Sequence, residues 1–192
     1  MQTVTYSVPW YSRSSRLELF VRLVYGLPFA VIMLVVFRIL GVITLVLPFL
    51  AQVLTILFSR KRSASIADFF HKYYLGYILQ YFAYYSLLTD ERPPIVPGDS
   101  MLKTKVNYVF KPDARRRELL YRIFYLVAFA IIGAIVGAVF VAALFVQAAI
   151  VLVTGTRNRT IWEFNSMYGR FLASYMYYLF AETDQRPAIL PN

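Results

Sequence analysis

The chain is poor in the residues that build most catalytic and redox sites. Its 192 residues include no cysteine, which excludes disulfides, thiolate metal ligands and thiol nucleophiles. His71 is the single histidine, so a metal site built from several imidazoles is excluded as well. We recognise no glycine-rich phosphate loop and no pairing of a nucleophile with a base. The composition therefore predicts a protein that is not an enzyme and that uses no cofactor or metal.

Acidic residues are also scarce, since ten Asp and Glu stand against twenty Lys and Arg, giving a formal net charge of +10. Residues 23–37, 39–58 and 123–153 contain no acid at all. A carboxylate relay of the kind that ion-coupled transporters use is therefore not expected in those stretches. A basic excess suits nucleic acid or anionic lipid. In a chain this apolar, anionic lipid is the expected partner and nucleic acid is not.

What the chain has in excess is apolar and aromatic. Hydrophobic residues make up 59% of it, the mean hydropathy is +0.57, and there are 16 Tyr and 16 Phe. Soluble domains usually carry about 45–50% apolar residues. Aromatic side chains are favoured at the two faces of a bilayer, where one end is dry and the other wet. These features predict a multi-pass protein of the cytoplasmic membrane.

The sequence contains the same unit twice. TDERPPIVP at 89–97 returns as TDQRPAILP at 183–191. The offset between matched positions falls from 102 near the start to 94 at the end, so a few small gaps are needed. A tandem duplication is predicted, with repeat one at 1–98 and repeat two at 101–192. Further matches in the same order are Glu18 with Glu118, Arg22 with Arg122, Tyr25 with Tyr125, Gln52 with Gln147, and Tyr73 with Tyr168.

Each repeat is predicted to begin with a short extended segment. Apolar residues alternate with polar ones at Val4, Tyr6 and Val8, and the second copy does the same around Tyr108. A period of two indicates a strand. The two segments either pair with each other at the membrane surface or remain unpaired.

A transmembrane hairpin is predicted to follow in each repeat. As one helix, residues 17–58 would be about 63 Å long, roughly twice the hydrocarbon thickness of about 30 Å. We therefore expect two spans with a turn near Arg38 and Gly41, and in repeat two a turn near Gly137. The predicted spans are 17–37 and 40–58 in repeat one, and 118–136 and 139–154 in repeat two.

A tyrosine-rich amphipathic helix is predicted to close each repeat, at 66–88 and 161–182. Each has one narrow polar stripe, which favours a helix that lies in the membrane interface. Lying flat, these helices would leave every basic cluster on one side, and short basic loops stay cytoplasmic. Both termini are then expected to be cytoplasmic. The alternative is six spans, in which the third helices cross the membrane.

This combination of motifs resembles a family. Arg16, Leu17 and Phe20 fit its R-L-x-L-F start, and residues 89–94 fit its T-D-x-x-P-P ending. The family consists of small prokaryotic integral-membrane domains of unknown function. The loop after the hairpin departs from the family's usual F-T-G-x-x-P, reading FSRKRSA and VTGTRNR here. The resemblance implies the all-α membrane fold and location, and it implies no reaction.

The candidate site residues are charged groups near the ends of the predicted helices. Glu18 with Arg22, and Glu118 with Arg122, have the i,i+4 spacing that favours an ion pair on a helix. The basic loops and the charged residues of the closing phrases complete the set. The candidate contacts with lipid or partner protein are Glu18, Arg22, Glu118, Arg122, Arg60, Lys61, Arg62, Arg115, Arg116, Arg117, Asp90, Arg92, Asp184 and Arg186.

Two functions fit these features. The first is a non-catalytic accessory subunit that packs against partner proteins in a larger membrane complex. The second is a protein that binds anionic lipid, or shapes the membrane, through its basic residues and interfacial helices, since each basic residue near an anionic surface contributes about 1 kcal/mol.

Overall fold

A computed structural model of the chain describes residues 3–34, 42–97 and 102–191. These residues are mostly helical, with two short strands and two π-helical turns. The elements are β1 (Val4–Ser7), α1 (Arg16–Met33), the first π turn (Val42–Val46), α2 (Leu47–Ser59), α3 (Ala64–Phe70), the second π turn (His71–Leu75), α4 (Gly76–Tyr85), β2 (Lys105–Tyr108), α5 (Arg116–Thr154) and α6 (Arg159–Leu179).

The apolar stretch of repeat two is one uninterrupted helix. α5 has 39 residues, which corresponds to about 58 Å. The hairpin predicted from 118–136 and 139–154 is therefore wrong. Gly137 lies inside the helix, because a helical glycine costs only about 1 kcal/mol and no proline follows it. The helix ends at Gly155, which takes the left-handed conformation with φ +72°.

Repeat one is not a closed hairpin either. The Ser14 N–H, just before α1, donates to the Gly155 carbonyl at the end of α5 (3.0 Å). The Ala114 N–H, just before α5, donates to the Arg60 carbonyl at the end of α2 (2.9 Å). The start of α1 and the end of α2 thus lie at opposite ends of α5, which contradicts adjacent spans at 17–37 and 40–58. The predicted turn at Arg38 and Gly41 lies outside the described residues.

The tyrosine-rich helices fold back along the long ones. The Asn158 N–H donates to Gln147 Oε1 (3.2 Å) at the start of α6, and the Tyr178 ring packs on Tyr125 near its end (5.1 Å). The Ser63 N–H makes the equivalent bond to Gln52 in repeat one (3.0 Å).

The tyrosines of these helices lie largely in the protein core, whereas the sequence predicts that they contact the membrane interface. Composition alone does not separate the two places, because both suit a ring with a polar tip. The fully buried ones are Tyr77, Tyr81, Tyr84, Tyr175, Tyr177 and Tyr178.

The two strands form an antiparallel ribbon, so the extended segments do pair. Thr5 lies opposite Asn107. The inner face packs on α6, where Gly169 leaves room for the Tyr6 ring: a Cβ at Gly169 would lie 2.6 Å from it. The outer face is polar and exposed at Thr5, Ser7, Lys105 and Asn107.

The molecule therefore has three layers: the ribbon, the tyrosine-rich helices, and the long helices α1, α2 and α5. The outward faces of the long helices expose many large apolar side chains. On α5 these include Leu120, Phe124, Val127, Ile131, Ile135 and Phe145. By length and composition, α5 is sufficient to cross a membrane, and its most apolar window is not buried.

Candidate functional site

Nine of the fourteen charged residues predicted as sites gather in two clusters at opposite ends of α5. Each cluster combines four residues of one repeat with one arginine of the other. Polar cluster one consists of Glu18, Arg22, Asp90, Arg92 and Arg157, and polar cluster two consists of Glu118, Arg122, Asp184, Arg186 and Arg62.

Asp90 holds polar cluster one together. Its Oδ1 accepts a hydrogen bond from Arg22 Nη2 (2.8 Å) and lies 2.6 Å from Nη2 of Arg157. Its Oδ2 accepts from the backbone N–H of Ser15, the residue that precedes α1 (3.1 Å). One carboxylate thus neutralises an arginine from each repeat and satisfies a backbone N–H where a helix begins.

Asp184 plays the same part in polar cluster two. It accepts from Arg122 Nη2 (3.0 Å) and from Nη2 of Arg62. Its Oδ2 accepts from the Arg115 N–H, which precedes α5 (2.8 Å). The Asp of the repeated motif, TDERPPIVP and TDQRPAILP, therefore contacts an arginine of each repeat in both copies.

The glutamates pair with the Arg of the same phrase rather than with the Arg four residues on. Arg92 donates from Nε and Nη2 to both Glu18 oxygens (2.9 and 3.0 Å), and the Tyr84 hydroxyl donates to Glu18 Oε1 (2.5 Å). The prediction that Glu18 pairs with Arg22 is wrong, because Asp90 engages Arg22 instead.

In repeat two the same arrangement recurs. Arg186 donates to both Glu118 oxygens (2.9 and 3.0 Å), and the Tyr178 hydroxyl donates to Glu118 Oε2 (3.0 Å). The Glu118–Arg122 pair is likewise replaced, since Arg122 bonds Asp184. Bidentate arginine–carboxylate pairs are among the stronger protein hydrogen bonds.

Arg62 and Arg157 also bind the backbone where the tyrosine-rich helix of the other repeat ends. Arg157 Nε donates to the Leu87 carbonyl (2.7 Å), and Arg62 Nε donates to that of Ala181 (2.8 Å). Leu87 and Ala181 both have positive φ, at 61° and 67°. A residue in the left-handed conformation often ends a helix, and the position is usually occupied by glycine. A residue with a Cβ adopts this conformation at a cost in free energy. The cross-repeat arginines help to fix these two helix ends.

Sequence reasoning missed Arg157 as a site residue although it selected Arg62. The signal is the repeat itself, because Gln52 matches Gln147 at an offset of 95 and the same offset takes Arg62 to Arg157. The side chains of both arginines are 1% exposed.

The two polar clusters are held together by contacts within the chain. The acids Glu18, Asp90, Glu118 and Asp184 each bond groups of the chain itself. Removing one partner from a buried ion pair costs about 3–5 kcal/mol, because a charge is then left without compensation. Among the residues described, no three His, Asp or Glu side chains lie close enough to hold a metal ion.

The other predicted basic residues form a surface patch where α2 ends and α5 begins. Arg60, Lys61, Arg115 and Arg117 are exposed, and within the described ranges none makes an ion pair. We call these four residues the basic patch. Arg116, beside them, donates to the Phe58 carbonyl (3.0 Å).

One buried acid lies outside both clusters. Glu182 is 1% exposed and accepts a hydrogen bond from the Tyr108 hydroxyl (3.2 Å). Burial raises the pKa of Glu182 to about 7, although Tyr108 and the neighbouring arginines act in the opposite direction. At the offset of 94 the matching residue of repeat one is Leu88, which is also buried. An acid in place of a leucine is the signal that could have singled it out.

Comparisons with known proteins assign no activity to these sites. No curated protein and no solved structure matches the chain. One family matches it twice, over residues 16–96 and 116–190. The two matches together contain both polar clusters in full, which agrees with the recurrence of the clusters in each repeat. The chain thus belongs to the family described as a domain of unknown function (DUF4389), and it carries that domain as two tandem copies.

Proposed function

We propose that this chain is a non-catalytic, membrane-embedded accessory subunit that packs against partner proteins. The observation that carries the proposal is the outward apolar face of the long helices. Leu120 is 66% exposed, Phe124 71% and Phe145 72%. Soluble monomers rarely expose apolar surface of this extent. The four carboxylates of the two polar clusters are engaged by arginines of the chain itself.

The geometry favours long helices that lie along one leaflet over helices that stand upright. The Tyr168 hydroxyl lies beside Gly137, at the middle of α5, and the adjacent Gly169 contacts Tyr6 of the ribbon. An upright α5 would therefore carry the ribbon to the bilayer centre. A two-stranded ribbon has two open edges, and open edges do not occur in hydrocarbon. The predicted multi-pass topology is replaced in our proposal by a layer embedded from one side.

The length of α5 supports the same arrangement. Its acid-free stretch, residues 123–153, extends about 46 Å, whereas the hydrocarbon core is about 30 Å thick. The mismatch exceeds what the usual tilts of up to about 40° accommodate. A helix parallel to the membrane has no such limit on its length.

Both termini are proposed to lie on the cytoplasmic side. The Thr3 hydroxyl lies 2.8 Å from that of Thr183, and the Thr3 N–H donates to Gln185 (2.9 Å), so the two ends of the chain are neighbours. The excess of Lys and Arg over Asp and Glu favours the cytoplasmic side of the membrane for the surface that carries these two ends.

Photo-crosslinking in native membranes tests the proposed subunit role. A photoreactive phenylalanine at Phe124 or Phe145 is expected to give discrete protein adducts, because these rings face outward from α5. The same group at Thr5, on the exposed face of the ribbon, is the control and is expected to give none of those adducts. Adducts with lipid alone at both phenylalanine positions would contradict packing against a partner protein.

The basic patch favours a second function, the binding of anionic lipid. Its four residues are exposed and lie together at one end of the long helices. Flotation with vesicles that contain phosphatidylglycerol is expected to weaken when Arg60, Lys61, Arg115 and Arg117 are all changed to Gln. Lys105→Gln on the ribbon is the single-charge control. Equal flotation of the fourfold variant and the wild type would contradict this function.

A further inference from the structure

A cavity of ≈ 710 Å³ lies between β1 of repeat one and α6 and residues 183–191 of repeat two. Its size falls within the range of about 300–1,000 Å³ that is usual for small-molecule sites. Arg170 and Arg186 supply positive charge, and Tyr125, Ala188 and Leu190 supply apolar surface, while Phe171 and Ala173 line the cavity where it meets the core. The lining residues that the structure describes include no Asp or Glu. The cavity therefore combines a cationic edge with an apolar wall.

Arg170 is the cation of this cavity that polar cluster two does not engage. Arg186 is held by Glu118 (2.9 Å). Arg170 is exposed and makes a long hydrogen bond to Ser166 Oγ (3.4 Å), and no carboxylate in the described part of the chain lies within ion-pair distance of it. Tyr6 also lines the cavity. Its hydroxyl is buried and has no hydrogen-bond partner among the described residues.

Repeat one supplies an internal comparison, because the matching positions carry different residues. At the offset of 94, Gly76 stands for Arg170, Tyr77 for Phe171 and Leu79 for Ala173. The Tyr77 hydroxyl donates to the Ile95 carbonyl (2.6 Å) and so ties the chain after α4 to the helix. Phe171 lacks that hydroxyl and Ala173 is smaller than leucine. The third difference, Arg170 in place of Gly76, adds a positive charge beside these two smaller side chains.

We propose that this cavity binds an anionic amphiphile, with its carboxylate or phosphate head at Arg170 and its apolar chain on Tyr125 and Leu190. Tyr125, which belongs to α5, joins the long helix to this cavity. This site is separate from the basic patch and does not depend on a partner protein.

The test is a titration of the full chain, held in a neutral detergent, with a fluorescent long-chain fatty acid. Saturable binding by the wild type is expected. Arg170→Gln is expected to raise the Kd at least about tenfold, because it removes a charge-assisted hydrogen bond. Ala173→Leu restores the residue of repeat one, fills the cavity and is expected to do the same. Arg159→Gln, on the same helix and outside the cavity, is the control and is expected to leave the Kd within about twofold.

Competition identifies the head group. Displacement by unlabelled oleate alone assigns a carboxylate ligand, and displacement by short-chain phosphatidylglycerol assigns a phospholipid; both support the proposal. Displacement by inorganic phosphate as effective as that by either lipid would overturn it, since the apolar wall would then contribute nothing. A wild type without saturable binding, or an equal loss in Arg159→Gln, would overturn it as well. Circular dichroism verifies that Ala173→Leu is folded, and Arg170→Gln changes an exposed side chain in any case.

Discussion

Repeat two keeps its helices regular where repeat one interrupts them. α5 and α6 are continuous, whereas the described residues of repeat one include the π turns Val42–Val46 and His71–Leu75. From Tyr73 to Tyr81 repeat one advances eight residues, and from Tyr168 to Tyr175 repeat two advances seven. A π turn accommodates one additional residue within a helix. The second π turn is therefore the structural form of a single-residue insertion.

The larger length difference lies between the matched phenylalanine and glutamine of the long apolar stretches. Repeat one advances 23 residues from Phe29 to Gln52, and repeat two advances 18 from Phe129 to Gln147. The first π turn lies within this longer stretch. In spite of these insertions, the two polar clusters make matching contacts. The comparison teaches that the helix ends are fixed by specific polar contacts and that the helix middles tolerate changes in length.

The largest effect on stability is expected from removing the central carboxylate of each polar cluster, and it tests whether the two clusters are equivalent. Asp90→Ala and Asp184→Ala are each expected to lower the free energy of unfolding by about 3 kcal/mol, because each leaves two buried arginines without a carboxylate. Thermal unfolding in detergent, followed by circular dichroism, measures both. Glu163→Ala breaks the exposed pair with Arg159 and is the control, with an expected change below about 1 kcal/mol. A loss confined to one of the two Asp variants would break the equivalence.

The second prediction concerns the pH dependence of stability, to which Glu182 of repeat two contributes and the matching Leu88 of repeat one does not. Because the pKa of Glu182 is raised to about 7 in the folded state, the folded protein retains a proton that the unfolded chain releases above about pH 4.5. Stability is then expected to fall by about 3 kcal/mol as the pH rises from about 4.5 to 7. Unfolding of wild type and Glu182→Gln across this window measures the difference. Parallel pH profiles for the two proteins would show that Glu182 does not titrate there.

The smallest effect concerns the residue that ends each long helix. Arg60 and Gly155 occupy matching positions, and both have positive φ, at 56° and 72°. Arg60→Gly is expected to raise the free energy of unfolding by about 0.5–1 kcal/mol, since glycine adopts this conformation without a clash between Cβ and the backbone. Gly155→Ala is the opposite change and is expected to destabilise. Destabilisation by Arg60→Gly would indicate that its side chain makes a stabilising contact.

The sequence was sufficient for the features that depend on local pattern. The duplication and the extended conformation of the two short segments followed from residue order, whereas residue order left open whether those segments pair with each other. The hairpins did not, because length alone does not bend a helix and Gly137 is tolerated inside one. The pairing of Asp90 with Arg157 did not either, since it joins residues 67 positions apart. Composition likewise did not distinguish tyrosines in a protein core from tyrosines at a lipid interface.

A distance within α5 tests the continuous long helix most directly. The chain has no cysteine, so spin labels at Leu120→Cys and Leu152→Cys attach only at these two exposed positions. Thirty-two residues of α-helix correspond to about 48 Å between the backbones, and pulsed electron paramagnetic resonance is expected to give a distribution centred near that distance. A hairpin closed near Gly137 would bring the two sites to about 10 Å, the usual spacing of packed helices, and that result would contradict the account.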